Sequence, residues 1–167
     1  MRHATQARFD RVARGELTRN AYTVEQMCNW TETDLNWHMR ETLRAQGYRA
    51  FHIREASDVG VADLIVYGPG GAIAGGKYLD QVIDAWVELK IDNDKEAYLR
   101  DDRKITQRGF MREHWQVARN AIYVMFDRKV GMLAAHQGDL KGRVKMLPAS
   151  PYSVDWRAVF AHFKTRK

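Results

Sequence analysis

The sequence predicts an α/β fold, with a central mixed sheet flanked by helices, and three observations lead to this prediction. Residues 83 to 90 alternate apolar and polar side chains, which is typical of a strand. Apolar runs at residues 62 to 67 and 121 to 126 indicate two more strands. Helical segments open near Glu32 and Ile105, one ahead of these strands and one between the last two. Helices that alternate with strands in this order are typical of an α/β sheet.

Turn and capping residues indicate the first helix and the first strand. Thr31 followed three residues later by Asp34 is close to a capping box, so the helix should begin at Glu32. Gly47 should end this helix, because glycine readily adopts the backbone conformation found at helix C-termini. Residues 48 to 53 then form the first strand.

The end of the chain predicts two more elements. Residues 132 to 135 form a short apolar run that favours a strand. Residues from about 154 to 163 favour a terminal helix, after a loop bracketed by Pro148 and Pro151. We therefore expect a sheet of four to five strands, with a helical extension before it and a terminal helix after it.

Length and composition predict one domain with extensions. A chain of 167 residues with 45% hydrophobic content can bury a real core, but it is too short for two comfortable domains. We divide it into a helical, basic N-terminal extension (residues 1 to 29), a core (30 to 136) and a basic C-terminal extension (137 to 167). The one cysteine, Cys28, excludes an internal disulfide and a Cys-based zinc site. No apolar stretch approaches the ~20 residues that span a membrane, so we expect a cytoplasmic protein without a membrane partner.

Positive charge is concentrated at the two ends of the chain. Lys and Arg outnumber Asp and Glu by 27 to 21, a net charge of +6. Residues 1 to 20 hold five Arg against two acids, and residues 128 to 167 hold nine basic residues against two acids. This sign suits a partner that is a polyanion, and we expect that partner to be DNA. The alternative is that both ends are solubilising tails.

Charged residues on two predicted strands form a candidate metal site. Asp63 begins the run at residues 62 to 67, and pairing of this strand with residues 83 to 90 would bring it beside Glu88. Glu88 and Lys90 are two residues apart, so they share one face of their strand and can reach the same phosphate. Two carboxylates together with a phosphate suit Mg²⁺, which prefers oxygen ligands and keeps several waters. We expect Mn²⁺ to substitute for it.

This arrangement resembles the PD-(D/E)XK nuclease superfamily, whose core carries an Asp on one strand and an acid-x-Lys triplet on the next. The matching residues are Asp63, Glu88 and Lys90, while Ala62 replaces the family's Pro. The order of elements is similar to the VRR-NUC and Holliday-junction-resolvase-like branches, over roughly residues 30 to 127. The resemblance implies a restriction-endonuclease-like core. It also implies a Mg²⁺-dependent endonuclease that cuts branched, flap or junction DNA as a homodimer.

The resemblance assigns roles to the residues that match. Asp63 and Glu88 would bind the metal, with the backbone carbonyl of Leu89 as a further oxygen ligand. Lys90 would orient the attacking water or stabilise the developing charge. We favour positioning over a role as general base, because two adjacent carboxylates hold the proton on the ammonium.

Two more site residues are implied on the flanking helices. Many members of the superfamily add a Glu on the preceding helix, and here Glu32 and Glu41 are both candidates. We favour Glu32, which shares a helical face with Leu35, over Glu41, which points away together with Trp37. Gln107 matches a Gln on the following helix, where it would orient Lys90 or a phosphate.

Other interpretations stay open at this point. The same fold could bind DNA without cutting it, or act as a homing or restriction-type endonuclease that reads sequence through its tails. Residues 71 to 77 match the GxxxxGK letters of a nucleotide-binding loop, although Tyr78 stands where Ser or Thr is required. A glycine-rich hairpin explains that segment better. In a purely structural interpretation, Glu88 and Lys90 are a solvated pair on an edge strand and Asp63 is a turn residue.

Overall fold

A computed structural model describes seven segments of the chain. These are residues 27–53, 60–68, 83–91, 105–128, 132–141, 145–147 and 151–165. Most of the predicted N-terminal extension and the whole GxxxxGK segment lie outside the described residues.

Three α-helices, six strands and one short 3₁₀ helix make up the described part of the chain. The helices are α1 (Glu32–Ala45), α2 (Ile105–Ala118) and α3 (Trp156–Lys164), with the 3₁₀ helix at Pro151–Ser153. The strands are β1 (Arg49–His52), β2 (Leu64–Tyr67), β3 (Ile83–Ile91), β4 (Ala121–Asp127), β5 (Met132–Gln137) and β6 (Lys145–Leu147).

The six strands form one mixed sheet in the order β1-β2-β3-β4-β5-β6. Every neighbouring pair is antiparallel except β3 and β4, which run parallel because α2 carries the chain back between them. A mixed sheet with flanking helices confirms the predicted α/β class. The predicted count of four to five strands was wrong by one. The extra strand is β6, which pairs with β5 through Leu133 and Leu147 and is too short to show an alternating pattern in the sequence.

The predicted capping box at the start of α1 is confirmed. The Thr31 hydroxyl accepts a hydrogen bond from the Asp34 backbone N–H, and the Asp34 carboxylate accepts one from the Thr31 backbone N–H at 2.8 Å. Three apolar residues one turn apart, Leu35, Met39 and Leu43, are then buried against the sheet. Just beyond α1 the backbone turns at Gly47, which has a φ of +86°.

The core is centred on β4, whose first six residues are all buried. A strand covered on both faces reads as a continuous apolar run, which is why its sequence showed no alternation. Helix α2 packs on β4, and its Trp115 meets Phe163 of α3 at a ring separation of 5.9 Å. The predicted terminal helix is confirmed as α3, and the Asp155 side chain caps it by accepting a hydrogen bond from the Ala158 N–H. Among the described helices, none is long and apolar enough to cross a membrane.

Candidate active site

Strand β3 carries an apolar face and a charged face, and both are buried from residue 87 onward. Val87 and Leu89 point into the core, whereas Glu88 and Lys90 alternate to the opposite side. Glu88 is 0% exposed and Lys90 only 3% exposed, and their side chains form an ion pair. The edge-strand interpretation is therefore wrong, because β3 lies between β2 and β4 and its charges are not solvated.

Asp63 lies next to this pair, as the sequence predicted. Leu64, the first residue of β2, is paired with Val87. Because the two strands are antiparallel, Asp63, which precedes Leu64, falls opposite Glu88. The Asp63 carboxylate accepts a hydrogen bond of 2.8 Å from the backbone N–H of Leu89. Asp63 therefore lies beside Leu89, whose two neighbours along β3 are Glu88 and Lys90.

The charges around Lys90 keep its side chain protonated. Burial alone would lower the pKa of this ammonium, because a charged group is less stable away from water. The carboxylates of Glu88, Asp63 and Glu32 act in the opposite direction, and together they raise the pKa of Lys90 above its ordinary value. Lys90 is therefore a fixed positive charge rather than a proton acceptor.

Helix α1 contributes Glu32 to a cavity that also reaches Asp63. We call it the α1 cavity; its volume is about 390 Å³ and its lining residues are Glu32, Thr33, Asn36, Trp37, Arg40, His52 and Asp63. Glu41 is not among them, and it is instead paired with Arg44 at 3.3 Å. The structure therefore places Glu32, the favoured candidate, in the same cavity as Asp63.

Trp37 points away from the buried face of Leu35, Met39 and Leu43, as predicted, and it is 36% exposed. It nevertheless lines the α1 cavity together with Glu32. Trp37 comes five residues after Glu32, so at about 100° per residue the two side chains leave the helix roughly 140° apart. The cavity spans that arc. The core-facing side of α1, centred near Met39, lies next to this arc rather than opposite it.

Gln107 lies beside the segment that leads to Asp63. Its side-chain amide donates a hydrogen bond to the Val61 carbonyl at 3.4 Å. Gly60 has a φ of +59°, and a Cβ built on it would lie 2.6 Å from the Gln107 backbone nitrogen. Only glycine allows this approach of the chain to the first turn of α2. The predicted contact between Gln107 and Lys90 stays a prediction.

Arg40 and His52 are among the cavity residues that the sequence did not predict. Arg40 lies eight residues after Glu32 on α1, and helical spacing could have found it. His52 lies opposite Leu64 in the pairing of β1 with β2, which no local pattern shows.

An aromatic cluster covers β3 two residues before Glu88. Trp86 contacts the rings of Phe110 and His114 from α2, at 5.1 and 5.2 Å. The Nδ1 atom of His114 lies 2.9 Å from the Phe110 carbonyl, which can only accept a hydrogen bond. The Trp86 side chain is thus packed against α2.

The donor set at this site fits a hard divalent cation that keeps most of its waters. Asp63 and Glu88 supply carboxylate oxygens from neighbouring strands, and Glu32 acts on the same Lys90 from α1. Within the described segments, no group of three or more His, Cys, Asp or Glu side chains is arranged as a protein-only metal cage. A site with two carboxylates would depend on backbone, water and phosphate oxygens for its other ligands.

Comparison of the chain with family models, with curated proteins and with solved structures gives no match.

Proposed function

We propose that this chain is a metal-dependent nuclease of the PD-(D/E)XK type, which hydrolyses phosphodiester bonds in DNA. The observation that carries the proposal is the hydrogen bond from Leu89 to Asp63, which sets that carboxylate beside the buried Glu88–Lys90 pair. Burying two unlike charges costs desolvation energy that a well-packed apolar pair would avoid. Clusters of this kind are typical of functional sites, where charge is needed for chemistry.

Each charged residue has a role that its surroundings support. Asp63 and Glu88, with the Leu89 carbonyl, would hold Mg²⁺ or Mn²⁺. When bound, such a metal lowers the pKa of a water ligand and neutralises charge on the phosphate in the transition state. Lys90 is held protonated by its neighbours, so it donates to the phosphate or to the attacking water and does not act as the base. Glu32 faces the same cavity as Asp63 and orients water there.

The proposed substrate is branched, flap or junction DNA, cut by a homodimer. Reading a long base sequence needs side chains that reach base edges in the grooves. Recognition of DNA shape through phosphate contacts needs less surface, and a net charge of +6 has the right sign for it. Two copies related by a two-fold axis would present one site to each strand.

The cleanest test replaces Asp63 with Asn. The amide oxygen of Asn can still accept the hydrogen bond from Leu89, and Asp63 is only partly buried, so the fold should tolerate the change. The charge needed for metal binding is lost. We expect Asp63→Asn to lower the cleavage of labelled flap and four-way-junction DNA in Mg²⁺ by roughly a hundredfold or more. Duplex and single-stranded DNA complete the substrate panel.

Asp139→Asn is a matched control. Asp139 is also partly buried and also accepts a backbone hydrogen bond, from the Lys141 N–H at 2.9 Å, but it follows β5 rather than preceding β2. This variant should cut DNA at the wild-type rate. Equal rates for wild type and Asp63→Asn would refute the nuclease proposal. Tight DNA binding by wild type with no cleavage in Mg²⁺ or Mn²⁺ would favour a DNA-binding protein that uses the same fold.

A further inference from the structure

The wall of the α1 cavity carries side chains that the proposed reaction does not use. They supply an indole, a guanidinium, an imidazole and an amide, from Trp37, Arg40, His52 and Asn36. The cavity volume of about 390 Å³ lies within the ~300–1,000 Å³ range of pockets that hold small organic groups. The cavity is therefore large enough for one nucleotide beside the acids.

Three of these side chains, those of Asn36, Trp37 and Arg40, follow one another along α1. Asp63 lies beside the buried charge pair, so the part of the cavity that it lines is the acidic end. Arg40 lies eight residues after Glu32, which is roughly 12 Å along the helix axis. A DNA strand with one phosphate at the acids can thus follow α1 and reach the guanidinium.

The Trp37 ring is held in position by a small aromatic network. It meets the buried His38 ring edge-on, at a centroid distance of 4.8 Å. His38 is stacked on Trp30 at 4.1 Å and hydrogen-bonded to the Tyr152 hydroxyl. Trp37 itself is still 36% exposed. A base that stacks on a ring already held in place loses little side-chain entropy.

We propose that the α1 cavity binds one unpaired nucleotide next to the bond that is cut. Its base stacks on Trp37, and its phosphate is held by Arg40 and His52. A base inside a duplex is stacked between its neighbours and cannot reach the indole, whereas an unpaired base at a flap or junction can. Stacking on an aromatic ring accepts every base, so the subsite selects for strand structure rather than for sequence. This inference deepens the proposed nuclease function and rests on it for the position of the bond that is cut.

The first test measures binding without cleavage. Fluorescence anisotropy in EDTA compares a labelled single-stranded oligonucleotide with the matching duplex. We expect Trp37→Ala to weaken single-strand binding about tenfold, or ~1.4 kcal/mol, and to leave duplex binding unchanged. Trp37→Phe should retain most of the affinity. The control is Phe51→Ala, because Phe51 is an aromatic residue of equal exposure, 37%, that does not line the cavity.

The second test addresses the phosphate contact. The affinity of single-stranded DNA falls with salt in proportion to the number of phosphates that the protein contacts, with a slope of about 0.7 per contact. Arg40→Ala should reduce this slope by one contact. Arg44→Ala removes the same charge one turn further along α1, outside the cavity, and should leave the slope unchanged. Circular dichroism of each variant checks that α1 is intact.

The outcomes separate this inference from the proposed function. The subsite is overturned if wild type does not bind the single strand in EDTA, or if Trp37→Ala binds both DNA forms as wild type does. If Trp37→Ala lowers the affinity for single-stranded and duplex DNA equally, the subsite is also overturned. Selective loss of single-strand binding in Trp37→Ala supports the subsite. Cleavage in Mg²⁺ by wild type decides the nuclease proposal separately, because the binding test contains no metal.

Discussion

Strands β3 and β4 lie side by side in the middle of the sheet, run in the same direction and are both buried, yet their side chains differ. Glu88 is paired with Tyr123, and Lys90 with Met125. β4 shows what these positions require for packing alone, which is a large side chain with an apolar body. β3 places a carboxylate and an ammonium group at the same level of the sheet. This contrast supports the proposal that Glu88 and Lys90, next to Asp63, serve a reaction rather than packing.

The largest expected effect comes from making β3 resemble β4 at one position. Lys90→Met leaves Glu88 buried without its positive partner, and we expect the free energy of unfolding to fall by about 3–5 kcal/mol. Urea denaturation followed by circular dichroism measures this. The control is Met125→Leu on the paired position of β4, a volume-conserving change that should cost less than about 1.5 kcal/mol.

The double variant Glu88→Leu/Lys90→Met sharpens the same comparison. Both charges are gone, so no buried ion is left alone, and stability should return to the wild-type value or rise above it. Cleavage of DNA should be lost all the same. If Lys90→Met lowered the free energy of unfolding no more than Met125→Leu does, Glu88 would not depend on Lys90 for its stability. The energetic contrast between β3 and β4 would then be refuted.

A smaller effect is expected where the chain approaches α2 ahead of Asp63. Gly60→Ala forces a side chain into a left-handed backbone conformation and against the Gln107 nitrogen, so we expect a loss of roughly 1–3 kcal/mol. Gly109→Ala is the matched control, because an added Cβ there meets nothing within 4 Å. Within α2 this change should stabilise the protein by about 0.5–1 kcal/mol. Thermal unfolding of both variants should therefore shift in opposite directions, and shifts of the same sign would contradict the close approach at Gly60.

The smallest effect concerns the cap of α1. Thr31→Ala should cost about 1 kcal/mol, because the helix loses a side-chain acceptor for its first turn. Hydrogen bonds from the Thr31 backbone N–H and hydroxyl hold the pKa of Asp34 below its ordinary value. A carboxylate with a lowered pKa stabilises the fold above its unfolded pKa of about 3.9, and this contribution is lost as pH falls through the folded value.

The pH dependence offers a direct check of that cap. Asp34→Asn has no carboxylate to titrate, so the difference in unfolding free energy between wild type and this variant should shrink as pH falls below about 3.9. Stability curves measured at neutral and at acid pH give the comparison. A difference that is constant with pH would mean that the Asp34 carboxylate is not engaged at the cap.

The parts of the fold that depend on local signals could be predicted from the sequence. The capping box at Thr31 predicted the start of α1, and alternation along β3 predicted which face holds Glu88 and Lys90. The neighbour relation of Asp63 with Glu88 followed from one assumption, that their strands pair. These features rest on residues close in sequence or on the fixed geometry of a strand.

Features that depend on tertiary contacts could not be predicted in the same way. His52 reaches the α1 cavity only through the pairing of β1 with β2. The place of Trp37 in the cavity was not predicted, because the helical pattern was divided into a core face and an opposite face, whereas the cavity occupies the arc between them. β6 has three residues, too few for a pattern, and its partner strand alone determines its place in the sheet.

The hydrogen bond between Leu89 and Asp63 also gives the molecule a built-in reporter. It joins a backbone amide to a carboxylate 26 residues earlier, so it can form only when β2 and β3 are in register. The rate at which the Leu89 amide exchanges its hydrogen with solvent therefore measures how often this corner of the sheet opens. That exchange rate can be measured without metal and without DNA. It therefore reports whether the site is folded, independently of whether the protein cleaves DNA.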